Sequence, residues 1–133
     1  MSELLGLINA DRSALGRRVL ITDERLWWVA QWRAEDMAAR DYLSHCYPLV
    51  VPCLSTTAND VLRDLFGAPG AWENAWSCAA YLDCTAGAVH AVFMASPDHR
   101  GTVLVPGHTH AGLGFARSQS GALFVVELFA TQE

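Results

Sequence analysis

Apolar residues recur at intervals of three and four over most of the first hundred positions, the spacing that places side chains on one face of a helix. The clearest case is the segment Arg25–Leu43, in which apolar residues are spaced by three and four positions and charged residues lie between them. Thr22 or Asp23 can cap the start of this helix. Three shorter segments are also predicted to be helices: Leu4–Leu15, a segment that begins at Asn59 or Asp60 and ends at Phe66, and Ala86–Ala95.

The pattern changes to strands after Pro106. Ala111–Arg117 and Leu123–Phe129 flank a short polar turn, which predicts an antiparallel hairpin. Residues 46–58 hold two prolines and two cysteines and are expected to form a loop. Helices that precede a small closing sheet indicate the α+β class, or an α-β-α sandwich in which helices flank the sheet.

Length and charge narrow the class of protein. A chain of 133 residues with 52% apolar residues predicts one domain, residues 1–133, with a core of its own. Nine arginines and no lysine stand against fourteen acidic residues, for a net charge of −5, so the chain lacks the basic surface that nucleic acid requires. Its longest apolar stretches are shorter than the roughly 18 residues of a membrane span.

The four cysteines form two close pairs, whose spacings are wider than those of zinc sites. Local disulfides, Cys46–Cys53 and Cys78–Cys84, would imply an oxidising compartment, whereas four buried free thiols are the alternative. The start of the chain, residues 1–5, has neither the basic nor the long apolar region of a signal peptide. The protein is therefore expected either to be cytoplasmic or to have lost an export signal.

Histidines and one carboxylate are the candidates for chemistry. His45 and His99 lie where predicted helices end, and with Glu73 they could hold a divalent ion with an open coordination position. A structural hydrogen bond is the alternative for each. His108 and His110 have the spacing that puts two imidazoles on one face of a strand, unless they lie at a solvated strand entry.

Other sequence features favour structure over catalysis. No Gly-x-Ser-x-Gly motif or Gly-rich phosphate loop is present. His90, within an apolar helix, is expected in the core or at an interface. Aromatic residues at helical spacing usually lie in the core of a protein. The alternative is that they form the walls of a groove that binds an apolar ligand. The same expectation applies to the five tryptophans, Trp27, Trp28, Trp32, Trp72 and Trp76.

Several short motifs follow one another over about residues 5–130. They are Asn9-Ala10-Asp11-Arg12 with Gly16, Ala34–Ala38 leading to Tyr42-Leu43-Ser44-His45, Glu73-Asn74, Ser96-Pro97-Asp98-His99-Arg100, and Gly112–Phe115 with Phe129. In this order they resemble the CAP superfamily, the SCP/PR-1-like secreted proteins, in its compact bacterial branch.

The resemblance implies an α-β-α sandwich, export from the cell, and a cleft in which two histidines and two glutamates can hold a divalent metal such as zinc. His45 and His99 match the metal-ligating histidines, and Glu73 matches one glutamate. The second glutamate would fall near Ser96 and is absent. Asn74 and Ser96 are expected at the same cleft, which Glu127 on the last strand could approach.

Three functions follow from these residues. The first is a secreted binding module, in which the cleft takes a divalent metal, a lipid headgroup, a glycan, or a peptide or protein segment. The second is a metal-dependent hydrolase with Glu73 as general base and His108 or His110 as a third ligand. The third is a purely structural role. The motifs as a whole favour binding over catalysis.

The segment Cys46–Ala58 is apolar where family members usually have a polar segment. It could form a lid, a surface that binds a partner, or a structural staple.

Overall fold

The computed structural model describes residues 2–47, 56–67 and 71–132. It contains the helices α1 (Ser2–Ala14), α2 (Glu24–Arg40), α3 (Ala58–Phe66), α4 (Ala86–Ala95) and α5 (Pro97–Val103). The strands are β1 (Ile21–Thr22), β2 (Cys46–Tyr47), β3 (Thr56–Thr57), β4 (Trp72–Cys78), β5 (His110–Arg117) and β6 (Leu123–Ala130).

Four strands form the main sheet in the order β1-β5-β6-β4. The predicted hairpin pairs β5 with β6, and β4 pairs antiparallel with the other side of β6 and forms one edge of the sheet. The short β1 runs parallel to β5, and β2 pairs with β3 in a separate two-stranded ribbon.

Helices cover both faces of this sheet, as alternating residues of β6 show. Val126 and Leu128 pack in one cluster with Val29 and Met37 of α2, and α3 contributes Leu62 to the same cluster. On the opposite face, β6 packs with apolar residues of α1, α4 and α5, among them Ile8, Phe93 and Val103. The structure is therefore an α-β-α sandwich, which confirms the predicted class.

Close contact between α2 and β5 depends on two glycines. A Cβ atom at Gly112 would collide with the main chain of Leu26, and one at Gly114 with the main chain of Ala30. The absence of side chains at these two positions lets the helix backbone lie directly on the strand. This contact fixes α2, and with it the polar side chains of α2, against the sheet.

The predicted helix boundaries need two corrections. Asp23 caps α2 as expected, but the helix ends at Arg40 rather than Leu43, where Asp41 adopts a left-handed conformation with φ of 54°. Thr57, not Asn59 or Asp60, caps α3, and the side chain of Asp60 completes a capping box with it. Residue 58, predicted as the end of a loop, is already helical.

Five elements were not predicted from the pattern: β4, α5 and the three short strands β1, β2 and β3, of which β2 and β3 lie within the segment 46–58 that was predicted as a loop. The segment from Trp72 to Cys78 forms β4, and Pro97 begins α5 immediately after α4 ends. Proline suits the first turn of a helix, where its missing N–H has no partner to lose. The Ser96–Pro97 boundary thus separates two helices.

The cysteine prediction is confirmed for one pair, since Cys78 and Cys84 form a disulfide. The predicted Cys46–Cys53 bridge lies outside the described residues, as does the segment 48–55 for which a lid or a staple was considered. His90 is buried, as expected, and bonds to Asp11 of α1 with 2.6 Å between Nε2 and Oδ2.

The expectation that the tryptophans belong to the core is wrong for at least three of them. Trp27, Trp28 and Trp72 are 38%, 45% and 54% exposed. Trp27 and Trp28 lie on the face of α2 that points away from the sheet, because the buried stripe of that helix runs through Leu26, Val29 and neighbours spaced from them by three and four. In the described part of the chain, no helix has the length and apolar character needed to cross a membrane.

Candidate functional site

Glu73 is the centre of a polar cluster at the start of β4. Successive side chains of a strand point to opposite faces. Glu73 therefore faces the side of the sheet that carries α2, whereas Asn74 faces the side that carries α5. Because β4 is an edge strand, both side chains lie next to the open edge of the sheet.

Arg33 of α2 holds the Glu73 carboxylate with two hydrogen bonds. Its Nε lies 3.1 Å from Oε2 and its Nη2 lies 3.0 Å from Oε1, and Nη2 also donates to the carbonyl of Ser44. The arginine is fully buried. Burial opposes the charge, but the hydrogen bonds and negative charge of Glu73 raise the pKa of Arg33. This paired, two-point contact fixes the orientation of the carboxylate.

His45 is the third member of the cluster. Its Nδ1 lies 2.8 Å from Oε1 of Glu73, and its side chain is 61% exposed. The hydrogen bond to Glu73 raises the pKa of His45, against the opposing effect of burial. Because Nδ1 is committed to Glu73, Nε2 is the ring nitrogen that remains for a ligand.

A cleft of about 240 Å³ opens beside this pair. It lies where the turn that carries His45, the start of α3 and the start of β4 meet. The side chain of Asn59 accepts a hydrogen bond from the main-chain N–H of Ala71, which ties α3 to β4 across the cleft. The lining residues are His45, Thr57, Ala58, Asn59, Ala71 and Glu73.

Asn74 organises a second polar group on the other face of β4. Its Nδ2 donates to Oε1 of Glu127 and to the carbonyl of His99, both at 3.1 Å. Glu127 is fully buried, and burial raises its pKa to about 8, partly offset by the hydrogen bond from Asn74. Its Oε2 has no hydrogen-bond partner among the described residues. Burial thus favours the protonated form of Glu127.

The His99 imidazole packs edge-on against Phe93, with 5.2 Å between ring centroids. Within residues 2–47, 56–67 and 71–132, no hydrogen bond or ion pair links this imidazole to His45 or Glu73. The structure therefore joins His45 to Glu73, and it joins Asn74 to the main chain of His99. Ser96, also expected at the cleft, is the boundary residue between α4 and α5, and its side chain forms no capping bond.

His108 and His110 do not form a pair on one strand face, and the alternative of a solvated strand entry is wrong for His108. β5 begins only at His110, so His108 precedes the strand. His108 is buried, stacks on Phe129 and has Nε2 2.9 Å from the carbonyl of Thr102, while Nδ1 of His110 lies 2.7 Å from Oγ1 of Thr109. Burial lowers the pKa of His108.

The described donor set does not fit a resident divalent metal. Both oxygens of Glu73 already accept hydrogen bonds, and the positively charged Arg33 lies against them. His45 offers a single free nitrogen. In the parts of the chain that the structure describes, no group of three or more His, Cys, Asp or Glu side chains is arranged to hold a metal ion.

Sequence reasoning missed Arg33, although a signal was present. Arg33 follows Val29 by four positions and precedes Met37 by four, so it lies on the apolar stripe of α2 rather than on its polar face. A charged residue on a buried stripe requires a partner of opposite charge. That partner is Glu73.

The sequence matches the family described as CAP, cysteine-rich secretory protein family, over residues 5–129. No curated protein matches the chain.

Solved structures share the fold. An outer surface protein from Borrelia burgdorferi is similar with a TM-score of 0.84 at 18% identity, over 100% of this chain and 92% of that protein. An extracellular protein containing an SCP domain from Bacillus anthracis has a TM-score of 0.75 at 25% identity, over 99% of this chain and 40% of the other. A cysteine-rich secretory protein from Staphylococcus aureus has a TM-score of 0.56 at 16% identity, over 96% and 37%.

Proposed function

The chain belongs to the cysteine-rich secretory protein family, CAP, and on that premise we propose that it is an exported binding domain that holds a polar group of its ligand at His45. One observation carries the proposal. Arg33 fixes Glu73, and Glu73 in turn fixes His45 at the mouth of a cleft of about 240 Å³. A chain of contacts that begins at a fully buried side chain thus ends at an exposed imidazole.

The chemistry of His45 defines the group that it binds. Contact with Glu73 favours the protonated imidazole, whose Nε2–H is a charged hydrogen-bond donor. The complementary ligand group is a hydrogen-bond acceptor with negative charge, such as a carboxylate or a phosphate. The volume of the cleft suits such a headgroup rather than a whole lipid or peptide.

Two observations support export. The Cys78–Cys84 disulfide is of the kind that persists in oxidising compartments. Two of the similar structures are described as an outer surface protein and an extracellular protein. An exported domain would meet its ligand outside the cell.

The geometry favours binding over hydrolysis. A general base needs a free lone pair that points at the proton to be removed. Three of the roughly four acceptor positions of the Glu73 carboxylate are taken, two at Oε1 by Arg33 and His45 and one at Oε2 by Arg33. A hydrolase that uses Glu73 in this role would have to work from a carboxylate that Arg33 and His45 already hold in one orientation.

Titration followed by NMR tests the proposal, with acetate and inorganic phosphate as separate probes at pH 6. We expect saturable shifts of the His45 ring signals and of the main-chain amide signals of the cleft residues with at least one probe, and no saturable shift of those amide signals in His45→Ala. His110→Ala serves as the matched control and should bind as the wild type does. Equal binding by His45→Ala and the wild type, or no saturable binding of either probe, would contradict the proposal.

The described donor set does not fit the zinc site expected from the family resemblance, and calorimetry with Zn²⁺ tests this disagreement separately. Saturable binding that disappears in the His45→Ala/His99→Ala double variant would support a metal at this edge of the sheet. Wild-type binding that survives in the double variant would show that these histidines are not the ligands.

A further inference from the structure

The outer face of α2 carries a second cleft, distinct from the one at His45. Its walls contain three indole rings, and its volume is about 220 Å³. Residues spaced by three and four positions on a helix are neighbours on its surface, and each lining residue has a neighbour at one of these spacings, as Trp27 has in Gln31 and Trp28 in Trp32. The lining residues are Trp27, Trp28, Gln31, Trp32 and Glu35.

Gln31 fixes the polar side of this cleft. Its Oε1 accepts from the main-chain N–H of Phe115 at 3.0 Å, and its Nε2 donates to the carbonyl of the same residue at 2.8 Å. The amide is thereby tied to the edge of β5. Nε2 also lies 3.1 Å from Oε1 of Glu35, so that the carboxylate is held beside the indole rings.

Glu35 has no cationic partner among the described residues. It differs in this from two nearby acidic side chains, one within α2 and one at the N-cap of that helix. Asp36 in the same helix pairs with Arg40, and Asp23 at the cap pairs with Arg25. No such ion pair involves Glu35 in the segments that the structure describes. A carboxylate thus lies next to three aromatic side chains, with its negative charge uncompensated by a neighbouring arginine.

We propose that this cleft binds a quaternary ammonium group, the trimethylammonium group of a choline-type compound. The faces of indole rings carry partial negative charge and attract cations, and tryptophan does so most strongly. A trimethylammonium ion has no N–H to donate, so aromatic faces and a nearby carboxylate are the groups that recognise it. The cleft supplies three tryptophans and a carboxylate, and its residues are separate from those of the His45 cleft.

Two features distinguish this ligand from a neutral apolar one. A neutral ligand would gain nothing from Glu35, whereas a cation gains a charge partner held by Gln31. The chain as a whole has a net charge of −5, which also favours a positively charged group. Charge complementarity therefore selects the cation.

NMR titration of the indole N–H signals tests the proposal, with choline chloride as the probe and its neutral isostere 3,3-dimethyl-1-butanol as the comparison. We expect choline to shift the signals of the tryptophans on α2 saturably and to leave Trp72 and Trp76 unchanged. Glu35→Gln should bind choline about two- to fivefold more weakly, the range for an exposed charge pair. Trp27→Leu should also weaken binding, and Glu3→Gln, which removes an exposed acid from α1, should not.

Phosphocholine and phosphatidylcholine vesicles separate the possible sources of the group. Competition of vesicles with choline would identify a lipid headgroup, and competition by phosphocholine alone would identify a soluble compound. Both results support the site. The proposal is overturned if choline causes no saturable shift, if the neutral isostere binds as tightly as choline, or if Glu35→Gln binds choline as the wild type does.

Discussion

Replacement of Glu127 by glutamine should change how the stability of the protein depends on pH. Glu127 is fully buried on β6, accepts one hydrogen bond from Asn74, and has a pKa raised from 4.5 to about 8. The glutamine side chain has nearly the same shape as the protonated acid and keeps an oxygen that accepts from Asn74. It lacks a titratable proton.

The expected magnitude follows from proton linkage. The folded protein retains the Glu127 proton up to about pH 8, whereas the unfolded chain releases it near pH 4.5. The contribution of this proton to stability is therefore complete below the unfolded pKa and is lost as pH rises toward the folded pKa. Linkage gives a loss of about 1.4 kcal/mol per pH unit in this window, or about 3 kcal/mol between pH 5 and pH 7.

Urea unfolding at pH 5, 6, 7 and 8 measures the effect. The difference in unfolding free energy between Glu127→Gln and the wild type isolates this one group, because all other titrating groups contribute to both proteins. We expect that difference to shift in favour of the variant as the pH rises, with Glu3→Gln as the exposed control that shows no such trend. A difference that stays constant from pH 5 to pH 8 would refute the buried, protonated state of Glu127.

Three further predictions concern the cleft and the disulfide. Arg33→Met should lower the unfolding free energy by about 3–5 kcal/mol, because it leaves the largely buried carboxylate of Glu73 without its charge partner; a loss below about 1 kcal/mol in urea unfolding would contradict this. The raised pKa of His45 means that its bond to Glu73 stabilises the fold below pH 6.5 and that this contribution disappears as pH rises through the folded pKa. In urea unfolding, His45→Ala should therefore be less stable than the wild type at pH 5.5 and equal to it at pH 9. The difference at pH 5.5 should be less than about 1 kcal/mol because the ring is largely exposed. Replacement of Cys78 and Cys84 by serine should cost about 2 kcal/mol for so short a loop, and unchanged thermal unfolding of that variant would argue against a role for the disulfide in stability.

Periodicity was sufficient to predict the elements with one clear amphipathic pattern. The long helix and the β5–β6 hairpin have regular apolar spacing, and both occur within a few residues of the predicted bounds. β4 was not predicted because its neighbouring residues Glu73 and Asn74 are both polar, so no alternation is visible. They are polar because each takes part in a different polar network, one on each face of the sheet.

The candidate site was predicted in part. The motifs singled out His45 and Glu73, which are in contact, and Asn74, which bonds to the main chain of His99 and to Glu127. The role of Arg33 could not be read from local pattern alone, because its partner lies 40 residues away along the chain. The exposed tryptophans are an exception to the general rule that aromatic stripes are buried. Which face of α2 meets the sheet depends on the contact of this helix with Gly112 and Gly114, which the sequence of the helix does not show.

The pKa of His45, measured by NMR with and without inorganic phosphate, tests the central claim most directly. If Glu73 orients and charges the imidazole for an anionic ligand group, the pKa should lie above its ordinary value of 6.5 in the free protein. It should rise further when phosphate saturates the cleft, because a ligand that prefers the protonated form stabilises that form. An ordinary pKa that phosphate does not change would contradict the account.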